Sequence, residues 1–557
     1  MTEILAELFR KTDVGEIGKI CYLLLGRVVP LYEAVEFGVA DKFMIRAIAQ
    51  SSGVDEGAVL KEFKKMGDLG VAGEKIKSQK LNSKSTSQKL KVEDVYQKLY
   101  AIATTGGLGS QEKKISLLSE LLSAVDPLSA RYIVRIPLGK LRLGFSDMTI
   151  LDALSWMLMG DKSLRGKLED AYNVLPDIGY IAETVKEKGI AGLSSVHAKV
   201  GAPILASLCQ RIPTADEMIE KMGRAFVEPK YDGERVQIHY TKMPNDKWQM
   251  LNIKTFSRNL ENTTVMFPEL SRIGKQLNAK EVILDSEAIG IDPKTGKFID
   301  FQTTMTRKRK HHVAAAAEGV PLKFMVFDIL YKDGKELLSA PLSARREILE
   351  KTVVKGDLLV VSPHIMTDQP EKIREYHDES IKKGLEGVVV KKYDSPYEPG
   401  RRGYSWVKFK EEEGKTGKLT DTIDAVVMGY YLGEGKRTGF GIGAFLVGVR
   451  DGEEFVTLTK VGTGVSDELW KDLKEKFFKL KAKDQPKEYK EVNKIYAPDV
   501  WIAPKIVVEL AGDDLTRSPS HGANYAVRFP RLVRIRTDKS PEQATTKKEV
   551  EKMYKNQ

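Results

Sequence analysis

The run F-V-E-P-K-Y-D-G-E-R, Phe226–Arg235, sets a carboxylate and an amine two residues apart within a stretch rich in strand-forming types. Side chains alternate faces along a strand, so Phe226, Glu228 and Lys230 share one face. Asp232-Gly233 reads as a tight turn into a second strand, R-V-Q-I-H-Y, making the pair a hairpin. Two readings stay open on these residues alone. One is a charged sheet edge with a salt bridge; the other is an amine nucleophile in a pocket with a carboxylate. A nucleophilic amine must be neutral, and with a reference pKa of about 10.4 Lys230 needs neighbouring cations or desolvation. The run W-V-K-F-K, Trp406–Lys410, supplies cations, because period two puts Lys408 and Lys410 on one face. There they could grip a phosphate and stabilise developing negative charge.

Further runs follow in order: S-R-N at Ser257–Asn259, L-D-S-E at Leu284–Glu287, F-M-V-F-D at Phe324–Asp328 and E-G-V-V-V-K at Glu386–Lys391. With K-Y-D-G-E-R and W-V-K-F-K this series resembles the motifs of the covalent nucleotidyltransferases. The resemblance implies that Lys230 is the catalytic nucleophile on the α-phosphorus of ATP. It implies an ATP/AMP-binding set of Glu228, Arg235, Arg258, Glu287, Phe327, Lys408 and Lys410. In that set Glu228 reads the adenine amino group, Phe327 stacks on the base, and Arg235 and Arg258 contact the ribose and the 5′-phosphate of a nick. Glu287 and Glu386 are implied to hold the metal or the ribose hydroxyls; two carboxylates with phosphate and water suit Mg2+, with Mn2+ as the alternative.

The flanks narrow the family. R-Y-I-V-R-I-P-L-G-K-L-R-L-G, Arg131–Gly144, and G-G-L-G-S-Q-E-K-K, Gly106–Lys114, closely resemble the DNA-binding domain of archaeal and eukaryotic replicative DNA ligases. Cations at helix ends and glycine turns can meet successive phosphates without reading bases, so Arg131, Arg135, Lys140 and Arg142 are candidate DNA-binding residues. R-F-P-R-L-V-R-I-R-T-D-K, Arg528–Lys539, resembles the last ligase motif, carried on an OB-fold; it implies that Asp538 and Lys539 close over the nucleotide during adenylation. The loop G-E-G-K-R-T-G-F-G, Gly433–Gly441, adds Lys436 and Arg437 to the DNA-binding candidates. Family members usually carry a further helical stretch ahead of the segment matching Thr2–Phe9, the one departure in a resemblance that otherwise covers nearly the whole chain.

The elements that must position these residues change in texture along the chain. From the start to about Val196 apolar residues recur at three and four spacing, as in Ile4–Phe9, Ile17–Leu25, Ile115–Leu122 and Ile150–Met159, which predicts helices. From Phe226 short β-branched runs alternate with Gly, Asp and Asn turns, with helices expected over Leu342–Thr352 and Pro370–Lys383. Beyond E-E-E-G-K-T-G-K-L-T-D come A-V-V-M-G-Y-Y-L, G-A-F-L-V-G-V, F-V-T-L-T-K-V, K-I-V-V-E-L and R-L-V-R-I-R, with a helix over Ser466–Leu480; five strands and a helix suit a small barrel. Asp451-Gly452 marks a hairpin, and Ser540-Pro541 a cap opening a C-terminal helix. The fold class is therefore multidomain: an all-α DNA-binding domain (1–198), an α+β nucleotidyltransferase (adenylation) domain with antiparallel sheets (199–412), and a β-barrel OB-fold domain (413–557).

Bulk properties agree. The 557 residues exceed one ordinary core, and a net charge of +11 favours a polyanionic partner. Cys21 and Cys209 are the only cysteines, too few for a disulfide framework or the four-cysteine zinc module of NAD-dependent ligases, which leaves ATP as the expected donor. Charged residues reach 30%, a density that can accompany thermophily. No stretch suits a membrane span and the acidic start is no signal peptide, so a cytoplasmic, nucleoid-associated monomer is expected. Its expected partner is nicked double-stranded DNA, with a sliding clamp as a further candidate. The alternatives are an RNA ligase of the same superfamily, which nicked RNA against nicked DNA would separate, and a non-catalytic DNA-binding scaffold, against which Lys230 and both glutamates argue.

Overall fold

The computed structural model describes residues 1–80, 90–242, 252–299, 303–304, 307, 319–410, 421–433, 437 and 440–556. Apart from Arg142–Gly144, contacts divide the chain into two compact units, one running to Glu413 and one starting at Gly414.

The first unit begins with helices, as the apolar periodicity predicts, through Ile178–Lys188 and a short 3-10 turn at Gly189–Ser195. Local chemistry sets their ends. Asp126 caps the helix Pro127–Arg135 by accepting from the Ser129 amide at 3.0 Å, with proline in the first turn where no amide is needed. Two apolar cores form. Met44, Ile48, Leu99, Leu118, Leu121 and Val134 fill one, while Phe9, Ile17, Leu151, Leu154 and Ile181 fill the other. The second core also takes Phe256, whose ring meets Tyr32 edge-on at 6.3 Å.

Two sheets follow. The first holds β1 (Leu208–Arg211), β2 (Ala225–Pro229), β9 (Ile365–Thr367), β10 (Val388–Lys392) and β11 (Arg402–Phe409), in the order β1-β11-β10-β2-β9. The second holds β3 (Glu234–Thr241), β4 (Ile253–Ser257), β5 (Glu281–Gly290), β6 (Leu322–Lys332) and β7 (Lys335–Glu336) in the order β4-β3-β5-β6-β7, with β8 (Leu359–Val361) beside β6. Pairing is antiparallel as expected except at β1–β11 and β6–β8, which are parallel. Helices cover one side of each sheet: Met218 and Ile373 pack on Val227, Val388 and Val390 of the first, and Leu349 packs with Leu284 and Phe324 of the second. Alternation then sends Glu228, Asp285, Glu287 and Lys391 to the opposite sides.

One local expectation fails here. Asp232-Gly233 does not turn a hairpin, because β2 and β3 belong to different sheets and the segment after Lys230 is a crossover between them. Gly233 is required there for space: a Cβ would run into the Ala288 carbonyl and lie 3.0 Å from Glu287 Cγ.

The second unit has β12 (Ile423–Tyr431), β13 (Ala444–Asp451), β14 (Glu454–Val461), β15 (Tyr489–Lys490), β16 (Val500–Trp501), β17 (Val507–Ala511) and β20 (Arg531–Ile535) in one sheet, and β18 (Asp514–Arg517) paired with β19 (Tyr525–Arg528). The expected Asp451-Gly452 hairpin joins β13 to β14, with Gly452 at φ +67°. The helix Asp467–Lys479 buries Trp470, Leu473 and Phe477. Of the expected small barrel, the described residues show half. The sheet path ends at β20, and a single parallel bridge, Thr463 to Arg531, reaches back toward the end of β14, giving a half-barrel. The expected C-terminal helix at Ser540-Pro541 is instead a 3-10 turn, Pro541–Gln543; the helix proper, Lys547–Lys555, starts at its own cap, Thr546.

Candidate active site

Lys230 lies one residue past β2, fixed by its neighbours' backbones. Its amide donates to the Gly387 carbonyl at 2.8 Å, and the Glu386 amide donates to its own carbonyl at 3.1 Å. Gly387 has φ +125°, a conformation closed to other residues in practice, and a Cβ there would run into the Phe409 carbonyl and lie 2.9 Å from Lys410 Cα. The glycine therefore lets the ends of β10 and β11 close on the lysine. The Lys230 ammonium pairs with Glu386 Oε2, and Lys410 Nζ donates to the other oxygen at 3.0 Å. Burial works against the Glu386 carboxylate, yet Lys230 and Lys410 together hold it ionised well below the usual carboxylate range, at about 2. Glu287, half-buried on β5, goes the other way: burial pushes its carboxyl up to about 7, against Lys230 and Arg235 and with help from Asp285 and Glu386. Lys408 is lowered by burial first and then by Lys410 and Lys230.

A second cluster is buried deeper. Glu228, 3% exposed, accepts from Lys391 Nζ at 2.9 Å on one oxygen and from Arg346 at 3.2 Å on the other. The Lys391 ammonium also stands over the rings of Phe327 and Trp406, 4.5 and 4.2 Å from their centroids. Arg235 forms a two-point pair with Asp285 at 3.0 and 2.6 Å, donates to the Ser207 carbonyl at 2.7 Å and lies 5.4 Å from the Phe327 ring. Tyr397 completes that network by donating to Asp285 at 2.7 Å. Arg258 is exposed beyond β4 and, with Arg235 and Asp285, lines a cavity of about 10 Å³. The result is an amine beside two lysines and two carboxylates of unlike proton affinity, next to a cluster that joins the Glu228 carboxylate, the Phe327 ring and Arg235.

Three family models match the chain in order: DNA ligase N terminus over residues 1–155, ATP dependent DNA ligase domain over 203–410, and ATP dependent DNA ligase C terminal region over 438–539. A probable DNA ligase of Dictyoglomus thermophilum is 42% identical over 100% of this chain and 94% of its own length. The chain belongs to the ATP-dependent DNA ligases. A DNA ligase of Pyrobaculum islandicum is 39% identical over 100% of this ligase and 95% of its own length. The solved structure Pmar-Lig_Pre, 16% identical with a TM-score of 0.51 over 96% of this ligase and 99% of that chain, shares the fold.

The structure of the ligase thus brings Lys230, Glu386, Glu287, Lys410 and Lys408 together, and Glu228, Phe327 and Arg235 in the adjoining cluster. Residues the sequence reading left out complete it. Lys391 and Trp406 sat inside quoted motifs without a role, and Asp285 inside L-D-S-E. Tyr397 and Arg346 carry no local signal, since their partners are distant in sequence.

The other candidates are placed as follows. Arg131 pairs with Glu74. Arg135, 13% exposed, is spent on Asp68, at 2.8 Å. Lys140, more than half exposed, reaches Asp41 at 3.5 Å, and Arg142 is exposed at φ +56°. In the second unit Arg437 donates to the Gly443 carbonyl at 2.6 Å and stands 5.2 Å from the Trp470 ring, while Lys436 lies outside the described residues. Asp538 pairs with Arg536 at 2.7 Å and Lys539 with Asp424 at 2.6 Å, both within that unit. No helix among the described residues is long and apolar enough to cross a membrane.

Proposed function

We propose that this ligase seals nicks in duplex DNA in three steps, with Lys230 as its covalent carrier. Lys230 attacks the α-phosphorus of ATP and expels pyrophosphate; the AMP passes to the 5′-phosphate of a nick; the 3′-hydroxyl displaces AMP and forms the phosphodiester. The observation that carries the reading is that Lys230 and Lys410 meet on the two oxygens of Glu386, with Lys408 near enough to feel both their charges. Lys408 and Lys410 bind the α-phosphate and meet the charge that develops on it. Glu228 accepts from the adenine amino group, Phe327 stacks on the ring, and Arg235 and Arg258 serve the ribose and the nick phosphate.

Glu287 and Glu386 would hold Mg2+. Two carboxylates suit an ion whose remaining ligands are phosphate and water. Such an ion supplies charge neutralisation on the triphosphate. Glu386, paired with Lys230 in the free protein, would exchange that partner on nucleotide binding and leave the amine to attack.

The domain limits 1–198, 199–412 and 413–557 are kept in this reading. The third domain is read as an OB-fold: its strand order and the parallel Thr463–Arg531 bridge support an incompletely closed barrel of that type. Asp538 and Lys539 orient the pyrophosphate when this domain closes, and Lys140, Arg142, Arg131, Lys436 and Arg437 meet DNA phosphates. The setting is a cytoplasmic, nucleoid-associated monomer, with a sliding clamp as a second partner. The test is incubation with α-labelled ATP and Mg2+ followed by a denaturing gel. Label retained by the wild type, discharged by nicked duplex DNA and lost in Lys230→Ala supports the reading. Absence of retained label after pyrophosphate stripping overturns it in favour of a DNA-binding scaffold, and discharge by nicked RNA alone in favour of an RNA ligase.

A further inference from the structure

Arg346 lies in the helix Leu342–Thr352, outside every motif read from the sequence, yet it is 4% exposed and its guanidinium is engaged at all three nitrogens. Nη1 donates to Glu228 Oε1 at 3.2 Å, Nη2 to the Ser362 carbonyl, and Nε to Glu350 Oε1 at 3.0 Å. Ser362 directly follows β8 of the second sheet, and its hydroxyl lies 3.3 Å from that of Tyr231, the residue after Lys230. Glu228 belongs to β2 of the first sheet. A single side chain therefore ties the carboxylate next to the nucleophile to the opposite sheet.

Lys391 alone would not fix Glu228. An ammonium is a point charge about which a carboxylate can turn, whereas a planar guanidinium held at two further points dictates where the acceptor sits. An ionised carboxylate is acceptor-only, so its orientation decides which base edge it welcomes. It accepts from the 6-amino group of a purine, repels a 6-oxo oxygen, and gains nothing from an unsubstituted carbon.

We propose that Arg346 is the positioning residue for Glu228 and, through it, sets the preference of the ligase for a 6-amino purine nucleotide as donor. This rests on the reading of Glu228 as the base-reading residue. A site built to hydrogen-bond a group discriminates against analogues lacking it, because its buried polar atom is left unpaired. For one hydrogen bond to a charged group the discrimination amounts to about tenfold to a hundredfold.

The test compares enzyme–AMP formation from ATP with formation of the corresponding adduct from purine riboside triphosphate, which lacks the amino group. It uses the full chain as wild type, Arg346→Met, Arg346→Lys and Glu228→Ala, the last removing the acceptor. Joining of a pre-adenylated nick, which needs no nucleotide donor, reports whether each variant is folded. The expected result is that wild type prefers ATP and that Arg346→Met cuts the preference to within about threefold, mainly by raising KM for ATP rather than lowering kcat. Arg346→Lys recovers part of the preference. A folded Arg346→Met that keeps the wild-type preference overturns the proposal. If Arg346→Met does not fold, Arg346→Lys decides, and an unchanged preference there is equally fatal. Should Glu228→Ala keep the preference, the Glu228 reading fails and the proposal with it; if Glu228→Ala loses it while Arg346→Met keeps it, only the proposal fails.

Discussion

Gly387→Ala should damage adenylation far more than it damages the fold. The residue sits at φ +125°, and its added Cβ would lie 2.9 Å from Lys410 Cα and closer still to the Phe409 carbonyl. Carbon atoms in contact rest about 3.5 Å apart or more, so the ends of β10 and β11 must separate by at least about 0.6 Å. That separation acts directly on the chemistry, because Gly387 accepts from the Lys230 amide on one side and abuts Lys410 on the other. A misplacement of about 1 Å in a reacting pair costs on the order of 100-fold, and the backbone strain costs about 1–3 kcal/mol of stability. Gly384→Ala is the matched control: it has φ +79° but nothing within 4 Å of its would-be Cβ, so it carries strain without the clash. Single-turnover formation of labelled enzyme–AMP, with melting curves for both variants, separates the effects. The expected outcome is a rate about 100-fold down for Gly387→Ala and unchanged for Gly384→Ala, with both destabilised. Wild-type adenylation by Gly387→Ala, or an equal loss in the control, refutes the reasoning.

Lys410→Ala removes one of the two cations on Glu386 and should slow adenylation by about 10²–10³-fold, the usual cost of one preorganised donor, as read by the same single-turnover assay. Arg135→Ala and Lys140→Ala should part company. The first removes a guanidinium from buried Asp68, which keeps the Val71 amide, and costs about 1.5–3 kcal/mol of stability in denaturant unfolding, while the second leaves the melt unchanged and reduces the salt dependence of DNA binding by about one counterion. His239 is fully buried; its Nδ1 accepts from the Gly201 amide at 3.0 Å, which leaves Nε2 to donate to Gln237 at 2.9 Å. Burial, and then Lys254, depress it from 6.5 to about 3. A depressed folded value means its contribution is present above about pH 6.5 and lost as pH falls toward 3, amounting to about 2 kcal/mol by pH 5. Denaturant midpoints should therefore drop between pH 6.5 and 5, and less steeply in His239→Gln; parallel slopes would rule this out.

What was legible in the sequence was chemistry carried by neighbours in the chain. Lys230, Glu386 and Lys410 stood out because each lies in a short run that resembles, in order, the motifs of the covalent nucleotidyltransferases; on their own the runs left a plain charged sheet edge open. The alternation rule that grouped Phe226, Glu228 and Lys230 held for the first two, which lie within β2, whereas Lys230 falls one residue beyond the strand. The hairpin at Asp232-Gly233 failed because turn composition fixes a local bend and not which sheet the next strand joins. Buried cations were the least visible. Arg346 reads as an ordinary helical arginine until Glu228, 118 residues away, is seen beside it. The ion pair of Arg135 with Asp68, 67 residues away, is equally invisible in its own run. Phe256, one residue before S-R-N, joins the helical core, a contact that strand periodicity cannot foresee. Five strands of the second unit were readable from their apolar runs, whereas β15, β16, β18 and β19, each of two to four residues, were not; closure depends on how strands at opposite ends of the sheet meet, and there, among the described residues, a single bridge stands.

The central claim is that joining passes through AMP carried on Lys230. Its most direct measurement is peptide mapping by mass spectrometry of the protein after incubation with ATP and Mg2+, followed by a chase with nicked duplex DNA in the absence of ATP. An AMP adduct on the peptide containing Lys230, lost during the chase as joined strand and free AMP appear, is the predicted result. An adduct on another residue, or joining by Lys230→Ala at the wild-type rate with ATP, would contradict it.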